Sequence, residues 1–143
     1  MLLLLLALLA PVRGVALAPH FAGQRSPETL QRDLTEIRTL GATHVMLVVQ
    51  WGQEDIRDSE IEPYPWGIVD AEVERLVRQA TALGLRTLIF PIVRVRQQAN
   101  PGEWRGKLVP RDRAAWWAGY RRFILHYARL AARAGAALYS VGS

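Results

Sequence analysis

The chain has 143 residues, half of them hydrophobic and 22% charged, enough apolar matter for one packed core and too much for a disordered chain. It carries no Cys, which excludes a disulfide framework, thiolate chemistry and a lipidated Cys anchor. The net charge of +5 rests on 18 basic residues, among which Lys107 is the only Lys; they form no single patch and accompany no nucleic-acid-binding motif, so nucleic acid is not an expected partner.

Met1 is followed by Leu2–Leu6, Ala7, Leu8, Leu9 and Ala10, then Pro11. This run is too short for a stable membrane span and fits the apolar part of an export signal. Residues 1–13 are therefore expected to be a leader, and the protein to be exported, periplasmic or extracellular. The competing reading is a misplaced start and a cytoplasmic protein. No basic residue precedes the run, and Pro11 hinders cleavage after Ala10.

After a short apolar strand, Val15–Leu17, one pattern recurs three times: a capped amphipathic helix, a glycine stop and an apolar run. In the first copy Ser26 caps, Pro27 opens the helix, and Leu30, Leu34 and Ile37 form its stripe. Gly41 ends it and Val45–Val49 follows as a strand. In the second copy Asp70 is the expected cap, and Val73, Leu76, Val77, Ala80 and Leu83 share a face. Gly84 ends it and Thr87–Val93 follows. In the third Asp112 caps, and Trp116, Tyr120, Phe123, Tyr127, Leu130 and Ala134 keep helical spacing. Gly135 ends it and Ala137–Val141 follows. Glycine suits each stop because the position after a helix favours a left-handed backbone.

The order is therefore β-α-β-α-β-α-β. Continuous apolar strands that do not alternate point to a parallel sheet buried on both faces. A doubly wound sheet would usually carry a glycine phosphate motif in its first turn. Here that turn reads Ala18-Pro19-His20-Phe21-Ala22-Gly23-Gln24. The fold class is α/β, the N-terminal half of a (β/α)8 TIM barrel spanning residues 14–143, since a closed barrel needs roughly 250 residues.

Connections at Gly41, Gly84 and Gly135 are short, whereas Gln50–Val69 and Arg94–Arg111 are long. Long loops after barrel strands gather at the C-terminal mouth, where substrate sites are built. Trp51, Trp66 and Trp104 lie in these stretches. An indole stacks on the apolar face of a pyranose while its N–H reaches a hydroxyl. His20, Gln50, Gln53, Glu54, Asp55, Gln97, Gln98, Asn100, Glu103 and Arg105 are polar neighbours suited to hydroxyl groups. Trp66, between Pro65 and Gly67, is expected to pin its loop; Trp51 and Trp104 are expected to touch ligand. Trp116 and Trp117 stand about 100° apart on one helix, so only one of them faces the core.

The acidic stretch Glu54, Asp55, Asp58, Glu60, Glu62 has no metal-ligand spacing and reads as a solvated loop. His44 opens a strand and His126 sits mid-helix, so no metal site is expected. No GxSxG, Walker loop or HExxH occurs.

Gly14-Val-Ala-Leu, Gly41-Ala-Thr-His-Val-Met-Leu-Val-Val with Gln50-Trp51, Phe90-Pro91-Ile92-Val93 and Glu103-Trp104-Arg105-Gly106 form a set. With Trp117-Ala118-Gly119-Tyr120, His126-Tyr127-Ala128 and Ser140-Val141-Gly142-Ser143, the chain resembles glycoside hydrolase TIM-barrel proteins of the family 113 type, whose characterised members act on β-mannans. The resemblance implies a retaining mechanism with two glutamates about 5 Å apart, and no cofactor or metal. It places the acid/base Glu after the fourth strand, in a Gly-Ser-Glu sequence, and the nucleophile near the seventh. This chain ends at Ser143, so no catalytic residue is expected within it. His20, Gln50, Trp51, Trp104 and Arg105 match by position as sugar-binding residues, with a polysaccharide or oligosaccharide as partner. By itself the segment is expected to be inactive and to self-associate through open strand edges. The alternatives are a non-catalytic carbohydrate-binding or cell-envelope protein on the same barrel, or a phosphate-binding metabolic barrel.

Overall fold

A computed structural model describes residues 11–19 and 23–142; residues 1–10 of the expected leader, and His20, lie outside the described residues. Strand β1 (Gly14–Leu17) leads to helix α1 (Pro27–Thr39), then β2 (His44–Gln53) and the short β3 (Glu62–Pro63). Helix α2 (Asp70–Ala82), β4 (Arg86–Val95), a 3-10 turn at Arg105–Lys107, α3 (Arg113–Ala134) and β5 (Leu138–Tyr139) complete the order.

The sheet runs β1-β2-β4-β5 with every one of those pairs parallel, while β3 adds antiparallel to the end of β2. Each parallel strand thus lies beside the parallel strand before it, and the order never reverses. That is the progression of a singly wound barrel; a doubly wound sheet would turn back at a switch point.

Local chemistry explains most helix boundaries. The Thr29 N–H donates to Ser26 Oγ at 3.2 Å, and the Ala115 N–H donates to Asp112 Oδ1 at 3.0 Å, so both expected caps form. The second helix corrects its expectation: its N-cap is Val69, with no side-chain cap. Asp70 is instead the first helical residue, and its carboxylate reaches His126 Nε2 at 2.9 Å and Arg133 at 3.8 Å. All three helices stop at glycines of positive φ, with Gly135 at 76°.

The core lies between the sheet and the three helices. Leu30, Leu34 and Ile37 of α1, Val73, Leu76, Val77 and Ala80 of α2, and Phe123, Tyr127 and Leu130 of α3 are buried against Leu17, Val45, Leu47, Val49, Ile89 and Val93. Burying each large apolar side chain contributes about 1.5–3 kcal/mol. The opposite face of the sheet differs from the expected two-sided burial. Met46, Leu88, Phe90 and Ile92 alternate with the core residues, and they are only half-buried.

Two strands are longer than their apolar runs. The ten-residue register from His44↔Arg86 to Gln53↔Val95 carries β2 and β4 on into polar sequence. These extensions bring the strand ends up to the mouth.

Candidate substrate site at the strand ends

Strand alternation decides which side chains face the mouth. Trp51 shares the parity of Val45, Leu47 and Val49 and so turns towards the helices. Its ring lies 5.5 Å from Phe123 and 5.4 Å from His126, centroid to centroid. Gln50 has the opposite parity and is 3% exposed on the inner face. Register places Ile92 beside Gln50, and Arg94 beside Gly52, on that same face.

Gln50, Trp104 and Arg105 come together. With Arg94, Arg96 and Gln98 they line a cleft of about 420 Å³ where β4 runs into the long connection before α3. Trp104 is 51% exposed, an indole available for stacking. The position of its ring explains the adjacent glycine: a methyl at Gly106 would overlap the Trp104 six-membered ring. Glu103 holds the preceding turn, accepting from the Ala99 N–H at 2.9 Å and from Asn100 Nδ2 at 3.3 Å.

Trp51 lines a separate cavity of about 290 Å³, together with Gln50, Tyr64, Asp70, His126 and Tyr127. Burial first, and then the Asp70 charge, push the Tyr127 hydroxyl well above the ordinary range. It stays a neutral group at physiological pH. A third cleft of about 490 Å³ opens between the 105–110 segment and the start of α3, lined by Arg105, Arg113, Trp116, Trp117 and Tyr120. Pro91 in its wall belongs to the helix-facing side of β4, and Trp116, Trp117 and Tyr120 of α3 form its other side. Substrate sites in parallel barrels form at the C-terminal strand ends, which favours the smaller mouth cleft.

Other expected hydroxyl partners are held by the protein itself. Gln53 faces the helices, accepting from Trp116 Nε1 at 2.8 Å and donating to the Asp55 carbonyl at 2.7 Å. Trp116 is half-buried against the core while Trp117 is exposed. Trp66, expected to pin its loop, is 61% exposed.

The acidic stretch is more ordered than a solvated loop. Asp58 accepts from the Glu54 N–H at 2.9 Å and the Glu60 N–H at 3.2 Å, and Asp55 accepts from the Arg57 N–H at 2.6 Å. Among the described residues no group of His, Asp and Glu could hold a metal. No helix among them is long and apolar enough to cross a membrane.

Arg94 and Arg96 lie beyond the apolar run that ends at Val93 and are not among the residues expected at the site. Their spacing was the available signal: Ile92, Arg94 and Arg96 are two apart and follow one face.

Against known proteins, the model of Glycoside Hydrolase Family 113 matches residues 19–143. The fold is similar to a GH113 β-mannanase from Alicyclobacillus acidocaldarius solved in complex with ManMIm, with a TM-score of 0.82 and 24% identity. That match covers 92% of this chain and 44% of the mannanase. A GH113 β-1,4-mannanase superposes with a TM-score of 0.76 at 19% identity, over 92% of this chain and 45% of the other. No curated protein sequence matches. The chain therefore spans less than half the length of these enzymes, and its parallel strands and outer helices are the first half of their TIM barrel. By the match over nearly all of its length, the chain belongs to glycoside hydrolase family 113.

Proposed function

We propose that this chain forms the first half of a glycoside hydrolase barrel acting on β-mannan or a related polysaccharide, and that the mouth cleft is one of its sugar subsites. The observation that carries the reading is the convergence of Gln50, Trp104 and Arg105 on one cleft at the strand ends. An exposed indole beside amide and guanidinium donors suits a sugar ring, which presents an apolar face and a rim of hydroxyls. The family's paired carboxylates would be supplied after the fourth and near the seventh barrel strand.

Isothermal titration with β-1,4-mannotetraose tests the subsite. Trp104→Ala should weaken binding by about 1 kcal/mol without lowering thermal stability, because the ring is half exposed. Equal affinity in both proteins would remove Trp104 from the site. Catalysis is tested on the gene: a Glu codon directly after Ser143 and a second near the seventh strand support hydrolysis. Release of reducing ends by residues 1–143 alone would overturn the placement of the carboxylates.

Two further readings accompany this one. The apolar run Leu2–Leu9 supports export, consistent with a polymeric substrate met outside the cell; mass spectrometry of secreted protein would show whether it is removed. The open strand edges support self-association of residues 1–143.

A further inference from the structure

We propose that the mouth cleft takes an anionic sugar unit, one bearing a carboxylate; this rests on the reading of the cleft as a sugar subsite. Three guanidinium groups line it, those of Arg94, Arg96 and Arg105, and among the described residues no carboxylate does. The surrounding segment has the same sign: residues 94–113 hold six basic and two acidic side chains. One of those acids, Asp112, is engaged as a helix cap, and the other, Glu103, holds the 99–103 turn.

The guanidinium groups are arranged differently. Arg96 is positioned by the protein, 4.7 Å above the Tyr64 ring and 3.8 Å from Glu54. Arg105 stands next to Trp104, and the ion pairs among the described residues leave it out. Arg105, with no acidic partner among the described residues, stands on the same wall as Arg94 and the Glu54-paired Arg96, and adds a positive charge that a neutral hexose does not relieve. A carboxylate relieves it and matches the guanidinium fork with two parallel hydrogen bonds. Trp104 would stack on the ring whose carboxylate Arg105 holds. Hydroxyl recognition alone needs donors and acceptors together, as Gln50 and Gln98 provide; it does not need the Arg105 charge.

Two ligands separate carboxylate recognition from recognition of the ring: β-1,4-mannotetraose and β-1,4-tetramannuronate. They share stereochemistry and linkage and differ in the oxidation of C6. Calorimetric titration of the protein is expected to give about tenfold tighter binding of the mannuronate at low salt. The preference should shrink at higher ionic strength, where screening weakens the charge term. Arg105→Gln should remove most of it. Lys107→Gln, a neutralisation of the same size outside the cleft, should leave it. Circular dichroism of both variants establishes that they fold, and the salt series on the unmodified protein stands without them.

Mannotetraose binding as tightly as the mannuronate would overturn the inference and leave the sugar subsite standing. Equal loss of preference in the two variants would also overturn it, by showing a diffuse field with no contact at Arg105. Binding of neither sugar would sink the subsite reading, and this inference with it.

Discussion

At the scale of single residues, Gly106 shows how a backbone position can set a ligand contact. The Trp104 ring lies over it with no space for a methyl group. Gly106→Ala should displace the indole and lower sugar affinity nearly as much as removing it, with the melting temperature unchanged; titration beside a tryptophan emission spectrum checks both. Asp58 carries a different kind of prediction. Burial by itself would raise its carboxyl, but the N–H groups of Glu54, Glu60 and Ser59 and the Arg111 charge outweigh it and hold the group below its ordinary value. The unfolded carboxyl takes up its proton near about pH 4, and the folded one only below that. Between the two values the unfolded chain binds more protons, so this contribution is present above about pH 4 and is lost as pH falls through the folded value. Asp58→Ala should therefore cost about 1 kcal/mol at neutral pH, and less in denaturant titrations at acidic pH. A constant difference across pH would show that the carboxylate charge is not what orders the loop.

The elements were largely legible, and the exceptions share a cause. The Ser26 and Asp112 caps follow from residues three apart, and the apolar stripes of α1 and α3 follow from helical spacing. Asp70 looked like a cap by the same local rule. Its carboxylate is drawn off by His126, 56 positions later, and the α2 start is left to the backbone. Trp51 likewise read as a loop residue beyond a strand ending at Val49. Pairing with β4 extends that strand to Gln53 and turns the indole onto α3. At that junction Phe123 is fully buried, with Trp51 at 5.5 Å and Tyr127 at 5.6 Å between ring centroids. Phe123→Ala should cost about 3–5 kcal/mol, enough to unfold a marginal domain. Chemical denaturation would show this as a lowered midpoint, or as no folded baseline. A cost under about 1 kcal/mol would mean that the cavity collapses and that α3 is not anchored there.

For the whole molecule, the arc of four parallel strands leaves two features to satisfy. Val15 on β1 and Leu138 on β5, at the two ends of the sheet, are 37% and 46% exposed. Met46, Leu88, Phe90 and Ile92 on the inner face are only half-buried. Unpaired parallel edges and an apolar inner face favour pairing with other chains. Residues 1–143 produced alone should elute as dimers or larger species by size exclusion with light scattering at micromolar concentration, and shift downward on dilution. A sharp monomer peak across that range would show that the edges are protected.

The sequence by itself determined the order of elements, the glycine stops, two of the three caps and the apolar stripes, because each is a property of residues close together in the chain; the family resemblance was legible as a set of short motifs. Only the tertiary structure decided which side chains meet in the mouth cleft. Strand pairing fixes parity, and parity sends Gln50 and Arg94 inward and Trp51 outward. The bonds that set this parity join residues about forty positions apart, between β2 and β4. Alternation along β4 signals locally that Ile92, Arg94 and Arg96 share a face, but no local pattern records which strand lies beside which.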